Sequence, residues 1–382
     1  MKPSEEVTRG SIALRLLILA AFAQTLTFPY ATEASTKVIA WGWSAYGQTN
    51  VPSELSDAVA VSGGWFHTLA LRSDGSAVGW GGTRYGEGIV PDGLTDVVAI
   101  AGGWAHSLAL RADGTVIGWG LNSDGQIDIP PGLDSVAAIA AGYVGNLALR
   151  TDGTIRAWGT YPPPGGLNDA VAVVTVVDRN LALRGDGTVV GWGRDDWGMA
   201  VPSDLRDVIA ISAGASDEGV GHSLALKVDG TVVAWGLNSF GRATVPQGLT
   251  NVIAISAGIW HSLALKADGT LVAWGRNDYG QGSIPAGLSN VVAISAGASH
   301  NVVLVADDRA AFVPPRMVPM SVSSISIATR RGWRYHLEHK DSLSSSVTWT
   351  THPPIPGNGS VQTITEADSS DPQRFYRVRQ QH

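Results

Sequence analysis

Seven Trp-Gly dipeptides recur along this chain at a nearly constant spacing. Successive tryptophans are 39, 39, 39, 34, 43 and 39 residues apart. The short interval comes from a loop at residues 161–166 that is shorter than its counterparts, and the long one from an insertion between Gly214 and His222. Such a period indicates supersecondary units that bury their apolar faces only by stacking on one another. The repeating tryptophans are Trp41, Trp80, Trp119, Trp158, Trp192, Trp235 and Trp274.

One complete unit, residues 251–289, contains three segments that alternate with the period of a pleated strand. They span residues 252–256, 262–266 and 270–274, and Asp268-Gly269 between the last two is a strong hairpin signal. We expect each unit to be an antiparallel blade of up to four strands. Radial stacking is the closed arrangement for β-units of this length, so the repeats predict a β-propeller.

The number of blades follows from the two incomplete copies at the ends of the array. The last copy has strand patterns at residues 291–296 and 301–305 but no Trp-Gly strand, whereas residues 37–42 are a Trp-Gly strand without partners. The two pieces complete one blade. We therefore predict an all-β, seven-bladed propeller over residues 37–312 that is closed by its N-terminal strand.

The repeat pattern VxAIxAGxxHSLALxxDGTVxxWGxNxxGQxxVPxGL resembles the repeats of the chromosome-condensation-regulator family. Its spacing and its VP-x-GL loop are most similar to the propeller-type β-lactamase inhibitory proteins of that superfamily. The resemblance covers residues 37 to about 308 and implies the propeller fold. It also implies two candidate activities, inhibition of an enzyme and guanine-nucleotide exchange. Exchange is disfavoured by the N-terminal leader described below and by the lack of an inserted wedge between blades.

Composition and charge exclude several classes of site. Residues 37–315 contain 15 Lys and Arg against 25 Asp and Glu, and such an acidic body lacks the basic surface that nucleic-acid binding requires. The chain has no cysteine, which excludes disulfides, thiol catalysis and zinc-thiolate sites. The 44% hydrophobic residues and 14 tryptophans are typical of a chain that folds around a large core.

The two ends of the chain have different patterns. Lys2, Arg9 and Arg15 precede a short apolar run, residues 16–23, and Ala23 and Ala34 are candidate cleavage positions. The run is too short for a membrane span, so we expect residues 1–34 to be a signal peptide and the mature chain to be exported without a stable membrane span. We also expect the mature chain to be monomeric. A Pro-rich linker, residues 313–319, leads to a predicted small β-sandwich-like module, residues 320–382. That module loosely resembles those that end many exported bacterial proteins, where it implies attachment or sorting, although a spacer role is equally open.

Catalytic and metal-binding motifs are absent or weak. The sequence has no Gly-x-Ser-x-Gly elbow, phosphate-binding loop or His-Glu-x-x-His, and Asp195-Asp196 are expected to be solvated loop carboxylates. Five histidines share one register, but equivalent points on stacked sheets are about 10 Å apart, so we expect hydrogen bonds to neighbouring strands and no metal or cofactor. The histidines are His67, His106, His222, His261 and His300. The seven Trp-Gly tryptophans are expected in the core between blades.

Two sets of loop aromatics are the candidate binding residues. In an antiparallel blade, the loop between strands one and two and the loop after strand three emerge on the same face, so both sets are expected there, together with residues 161–166 and 216–221. The first set is Trp65, Phe66, Trp104, Tyr143 and Trp260, and the second is Tyr46, Tyr85, Trp197, Phe240 and Tyr279. Rigid rings on a concave face favour protein recognition without catalysis. Inhibition of a secreted or periplasmic enzyme, and glycan binding or hydrolysis, are the alternatives.

Overall fold

The computed structural model describes residues 36–306 except 178, 195–199 and 217, together with the backbone of six C-terminal strands. Within these residues the fold is all-β, and the one helical segment is the 3-10 turn Ser239–Gly241. The predicted fold class is confirmed. Among the described residues, no helix has the length and apolarity that a membrane span requires.

Residues 36–306 form seven three-stranded antiparallel sheets, one for each predicted blade. Each of the first six blades uses three consecutive strands. In blade one they are Ala58–Gly63, His67–Arg72 and Ala77–Gly81, and in blade two Val97–Gly102, His106–Arg111 and Val116–Gly120. Blade three has Val136–Ala141, Asn146–Arg150 and Ile155–Trp158, and blade four has Ala170–Thr175, Arg179–Arg184 and Val189–Gly193. Blade five has Val208–Ala215, Gly221–Lys227 and Val232–Gly236, and blade six has Val252–Ala257, His261–Lys266 and Leu271–Gly275.

Blade seven is built from both ends of the array, as predicted. The strand Thr36–Gly42 pairs antiparallel with His300–Ala306, which in turn pairs with Val291–Ala296. The register joins seven residue pairs, from Thr36 opposite Ala306 to Gly42 opposite His300. This pairing closes the ring.

The expected fourth strand is replaced by a turn in every blade. The leucine N–H of the segment Pro-x-x-Leu donates to the proline carbonyl, for example Leu55 to Pro52 at 3.2 Å and Leu205 to Pro202 at 3.1 Å. Proline has no N–H to contribute to a β-ladder, which favours a turn over a strand at this point. Leu55 and Leu205 are buried, so the turn still anchors the outer edge of the blade.

Apolar side chains of neighbouring blades form the core. The cluster between blades four and five is representative and contains Val171, Leu181, Leu183, Leu205, Ile211 and Trp235. Hydroxyl groups lock the innermost strands together. Ser62 Oγ accepts the N–H of Gly102 at 3.0 Å, and Ser256 Oγ accepts the N–H of Ala296 at 2.9 Å.

The C-terminal strands belong to a second compact unit, which is described by itself. Ser324–Ala328 pairs with Val361–Thr365, and Arg334–Lys340 pairs with Thr350–Thr351, Ile355–Pro356 and Phe375–Gln381. The sandwich-like packing of this unit and the proposed signal peptide lie outside what the described residues establish.

Candidate functional site

The two sets of loop aromatics meet on one face of the propeller, called here the aromatic face. Tyr46 from the loop after strand three lies 5.2 Å from Phe66 of the other set, measured between ring centroids. Tyr85 and Trp104 are likewise 6.2 Å apart, and Phe240 and Trp260 are 5.8 Å apart. Of the ten predicted residues, Trp197 lies outside the described residues.

The inner part of the aromatic face surrounds the propeller axis. Trp104 stacks on Tyr143 with centroids 4.4 Å apart and an interplanar angle of 19°, and Trp65 meets Tyr143 edge-on at 5.3 Å. Trp65 and Tyr143 also pack against Val176 and Val177 of blade four. Trp65 and Tyr143 border an axial opening that is lined mainly by glycine and alanine from all seven blades.

Backbone hydrogen bonds between blades fix the inner rings. The N–H of Trp65 donates to the Gly103 carbonyl at 3.1 Å, and that of Trp104 to the Gly142 carbonyl at 2.9 Å. A side chain at Gly103 would collide with His106 and with the Gly142 carbonyl, so the close approach of the strands requires glycine there. The tryptophans are therefore mounted on rigid backbone.

The outer part of the aromatic face is accessible to solvent. The exposed fractions are 52% for Tyr46, 38% for Tyr85, 57% for Phe240 and 48% for Tyr279. The inner rings are less exposed than these, because each is half-buried. They are Trp65, Trp104, Tyr143 and Trp260. The exposed rings are thus the first that a ligand would meet.

A buried acceptor holds the backbone of most outer rings. The side-chain oxygen of Gln48 accepts the N–H of Tyr46 at 3.0 Å, and that of Gln281 accepts the N–H of Tyr279 at 2.9 Å. The carboxylate of Glu87 accepts the N–H of Tyr85 at 2.8 Å. The carbonyl oxygens at these positions also accept the indole N–H of a Trp-Gly tryptophan in the adjoining blade, at 2.9 Å for Trp80 to Gln48.

Four stretches of the chain match the model of the regulator of chromosome condensation (RCC1) repeat, residues 58–87, 97–126, 208–242 and 252–281. They fall in blades one, two, five and six. The chain contains RCC1 repeats. Each matched stretch ends at the same buried position of the repeat, occupied by Glu87, Gln126, Arg242 or Gln281.

Several solved structures are similar to most of this chain. Yeast RCC1 (Prp20), crystallised bound to Kap60, is 16% identical with a TM-score of 0.61, over 80% of this chain and 94% of that chain. Human WBSCR16 is 20% identical with a TM-score of 0.55, over 71% and 99%. The CRINKLY WD40 ectodomain of the Arabidopsis thaliana receptor kinase ACR4 is 19% identical with a TM-score of 0.50, over 63% and 88%.

At these identities the likeness establishes the fold alone. None of the curated proteins compared with the sequence matches it significantly. The comparisons give no support to the finer resemblance to β-lactamase inhibitory proteins, which stays a prediction.

The in-register histidines of the RCC1 repeats are fully buried and bond to the next blade. His67 Nε2 lies 2.8 Å from Ser107 Oγ, and His106 Nε2 lies 2.7 Å from Asn146 Oδ1. His222, His261 and His300 make the equivalent bonds to Ser262, Asn301 and Thr68. Burial lowers the pKa of His67, His222 and His300 to about 3 and that of His106 and His261 to about 4. These side chains are therefore neutral structural groups, as the register predicted.

Among the described residues, no group of three or more His, Asp or Glu side chains is arranged to hold a metal ion. Asp195 and Asp196 lie outside the described residues. The Asn122–Gly125 loop is closed by its own hydrogen bonds, with Asn122 Nδ2 donating to Asp128 at 2.8 Å.

Six of the seven Trp-Gly tryptophans are buried, and Trp192 is the exception. Its indole N–H donates to the Tyr161 carbonyl at 3.0 Å, whereas that of Trp80, for example, donates to the Gln48 carbonyl. The shortened loop at residues 161–166 has no residue equivalent to Gln48, and Trp192 consequently remains half-exposed.

The opposite face of the propeller carries the Asp-Gly turns. Each turn aspartate accepts the N–H and the hydroxyl of the residue two positions on, as Asp113 does from Thr115 at 2.9 and 2.7 Å. The hydroxyl bond is the main reason that the pKa of Asp113 is lowered, with the backbone bond second. Asp74, Asp152, Asp186, Asp229 and Asp268 behave in the same way.

Three residues of the aromatic face were not predicted from the sequence. Trp43 contacts Tyr46, Phe66 and Tyr279 at centroid distances of 5.4 to 6.0 Å. Arg276 lies 4.8 Å from the Phe240 ring and 5.6 Å from the Tyr279 ring, and so joins blades five and six. Both residues come two positions after a Trp-Gly tryptophan, so a comparison of that register could have found them.

Arg242 is the third residue that was missed, and it is fully buried. Its guanidinium carbon lies 4.7 Å from the centre of the Trp260 ring, and desolvation lowers its pKa to about 10. Arg242 occupies the same repeat position as Gln48 and Gln281, and its positive charge distinguishes it from both in the sequence.

Proposed function

We propose that this chain is an exported, non-enzymatic recognition module that binds a protein partner through the aromatic face. One observation carries the proposal. Ring contacts and Arg276 form an unbroken path from Tyr143 in blade three, through blades two, one, seven and six, to Phe240 in blade five.

Preorganisation supports recognition by this path. Aromatic side chains provide large contact areas and have few rotatable bonds, so ordering them at an interface costs little entropy. Here their backbones are already fixed by Gln48, Glu87 and Gln281 and by the bonds between blades. Yeast Prp20p, which shares the fold, has been studied for its binding to Gsp1p and histones, and the propeller is thus a scaffold that can present a protein-binding surface.

The packing of the rings favours a polypeptide over a glycan. A sugar stacks on an uncovered ring face, but Trp104 and Tyr143 cover one face of each other. Arg276 lies over Phe240 at 4.8 Å and Arg84 over Tyr85 at 5.3 Å. Each of these four rings thus has a group packed against it, which leaves less flat ring surface for a sugar to stack on.

The exposed rings test this proposal. Truncation of Tyr279 or Tyr85 to alanine should weaken partner binding at least about thirtyfold, because aromatic anchors at an interface typically contribute about 2 kcal/mol or more. The partner would be captured on the tagged full-length chain from culture supernatant or envelope extract, identified, and titrated against each variant. Half-buried Trp104 and Trp260 are less suitable, since truncating them also disturbs packing.

Asp113→Ala is the matched control on the opposite face. It removes a side chain that is hydrogen-bonded within its own turn, and partner affinity should stay within about twofold of the wild-type value. Loss of binding in this variant, with both tyrosine variants silent, would place the interface on the Asp-Gly face.

Export has its own test. We expect mature protein to be recovered outside the cytoplasm with an N-terminus following Ala23 or Ala34, as the candidate cleavage positions predict. N-terminal sequencing of secreted material measures this directly. Intact Met1 on cytoplasmic protein would contradict it without affecting the proposal about the aromatic face.

A further inference from the structure

The loop that carries Phe240 differs from its counterparts in backbone conformation. In the loops of Tyr46, Tyr85 and Tyr279 the ring-bearing residue has an ordinary negative φ, and only the glycine after it is left-handed. Phe240 has φ 62° and ψ 13°, and Gly241 after it is also left-handed at φ 75°. The other non-glycine residues with positive φ among the described residues are Asp, Asn or Ser in turns. A bulky aromatic residue is rare in this region of backbone space.

A difference in hydrogen-bonding chemistry accompanies the unusual conformation. Where the ring has a negative φ, its N–H is bound by the side-chain oxygen of Gln48, Glu87 or Gln281. Asp124, the equivalent residue of the fourth such loop, donates its N–H to Gln126 at 2.8 Å. Arg242 stands at this position in the Phe240 loop, and a guanidinium group has five N–H donors and no acceptor. It cannot bind the N–H of Phe240.

The guanidinium of Arg242 is used elsewhere. Its Nε donates to the Leu237 carbonyl at 2.9 Å and one Nη to the Ile259 carbonyl at 2.8 Å, while the other Nη has no acceptor among the described residues. The group is thereby held beneath Trp260. Trp260 meets Phe240 edge-on at an interplanar angle of 88°, and Arg276 covers Phe240 from another side.

We propose that Arg242 is a positioning residue that holds Phe240 in a left-handed conformation and so presents it as the leading anchor of the aromatic face. The inference rests on the proposed function. Strained backbone persists where the surrounding structure enforces it and is frequent at binding sites. Here the missing acceptor and the contacts with Trp260 and Arg276 enforce it. As a result Phe240 is the most exposed of the predicted rings that the structure describes, at 57%.

The chemistry around Phe240 specifies the kind of contact the partner must offer. The ring carries no charge, and its neighbour Arg276 is already paired with Asp278 at 2.6 Å. A carboxylate on the partner would have to compete with Asp278 for Arg276. The surface therefore suits an apolar pocket on a protein partner that receives one aromatic side chain.

The backbone strain can be measured without any partner. Glycine tolerates left-handed backbone and alanine does not, so Phe240→Gly should melt about 2 °C above Phe240→Ala in the wild-type background. Both variants lose the ring, and their difference isolates the backbone term. In an Arg242→Gln background, where the loop regains its acceptor, the order should reverse. An Arg242→Lys background, which restores only a donor, should keep the wild-type order.

Binding of the captured partner completes the test. Arg242→Gln should weaken it about tenfold and Arg242→Lys less than threefold, with both variants folded by circular dichroism. If Phe240→Gly still melts above Phe240→Ala in the Arg242→Gln background, Arg242 does not set the conformation and the inference is overturned. If the melting order behaves as expected but Arg242→Gln and Phe240→Ala both bind normally, Phe240 is not an anchor and the inference is again overturned. The proposed function would still stand in either case, since it depends on Tyr279 and Tyr85.

Discussion

We expect the free energy of unfolding to fall steeply as the pH is lowered from about 6.5 towards 4.5. The five buried histidines have pKa values of about 3 or 4 in the folded protein, against 6.5 as the ordinary value. Between those limits the unfolded chain binds up to five more protons than the folded chain. Stability is therefore complete above pH 6.5 and is lost as the pH falls.

The expected size of the effect exceeds that of any single substitution. Five protons correspond to a slope of up to about 7 kcal/mol per pH unit, whereas a typical domain is stable by about 5–15 kcal/mol in total. We therefore expect acid unfolding near pH 5, well above the native pKa values. The exposed turn aspartates do not contribute in this range, since lowered carboxyl pKa values affect stability only at more acidic pH.

Denaturant unfolding at several pH values between 7.5 and 5 measures the slope. His106→Asn should reduce it by about one proton, or about 1.4 kcal/mol per pH unit, even though the variant is less stable at neutral pH. Asp113→Asn serves as the control and should leave the slope unchanged. A free energy of unfolding that does not vary down to pH 5 would mean that the histidines are not buried as neutral groups.

The second large effect is expected for Trp235→Ala, which should destabilise the protein by about 3–5 kcal/mol. Trp235 is 7% exposed and fills the interface between blades four and five beside Leu205 and Ile211. Removing the indole ring leaves a cavity that rigid neighbouring strands cannot close. Equilibrium denaturation at neutral pH gives the loss.

Trp192→Ala is a control in the same register of the repeat. Trp192 is half-exposed because the shortened blade-three loop leaves it uncovered, and its truncation should cost less than half as much as that of Trp235. Equal losses in the two variants, or a loss under 1 kcal/mol for Trp235, would show that burial does not determine the contribution of these rings.

The period of the Trp-Gly dipeptides was sufficient to predict the blades, and the two incomplete copies at the ends predicted how Thr36–Gly42 closes the ring. Alternation and hairpin signals are local, and the repeat supplied seven Trp-Gly strands and six Asp-Gly turns. The prediction of a fourth strand was wrong because the strand pattern was extended past Pro52 and its equivalents. Proline has no N–H for strand pairing, and the chain forms a Pro-x-x-Leu turn there instead.

The aromatic face was predictable in outline and not in detail. The alternation of strands predicted that both sets of rings lie on one face. On that face Tyr46 contacts Phe66 and Tyr85 contacts Trp104. The conformation of Phe240 was not predictable, because it depends on whether a residue two positions later can accept a hydrogen bond. Trp192 differs from the other tryptophans for a similar reason, since its burial depends on the length of a loop in another blade.

The closure of the ring has a consequence for how the protein folds. Thr36 and Ala306 are partners in the closing sheet although 270 residues separate them in the chain. Contacts this distant in sequence form late and slowly, since the intervening chain must be ordered before they are gained. Among the strands of the propeller, His300–Ala306 is the last to leave the ribosome and, until it pairs with Thr36–Gly42, it presents an unpaired edge that could join another chain. All the other strands of the propeller must therefore be synthesised before its first strand can pair.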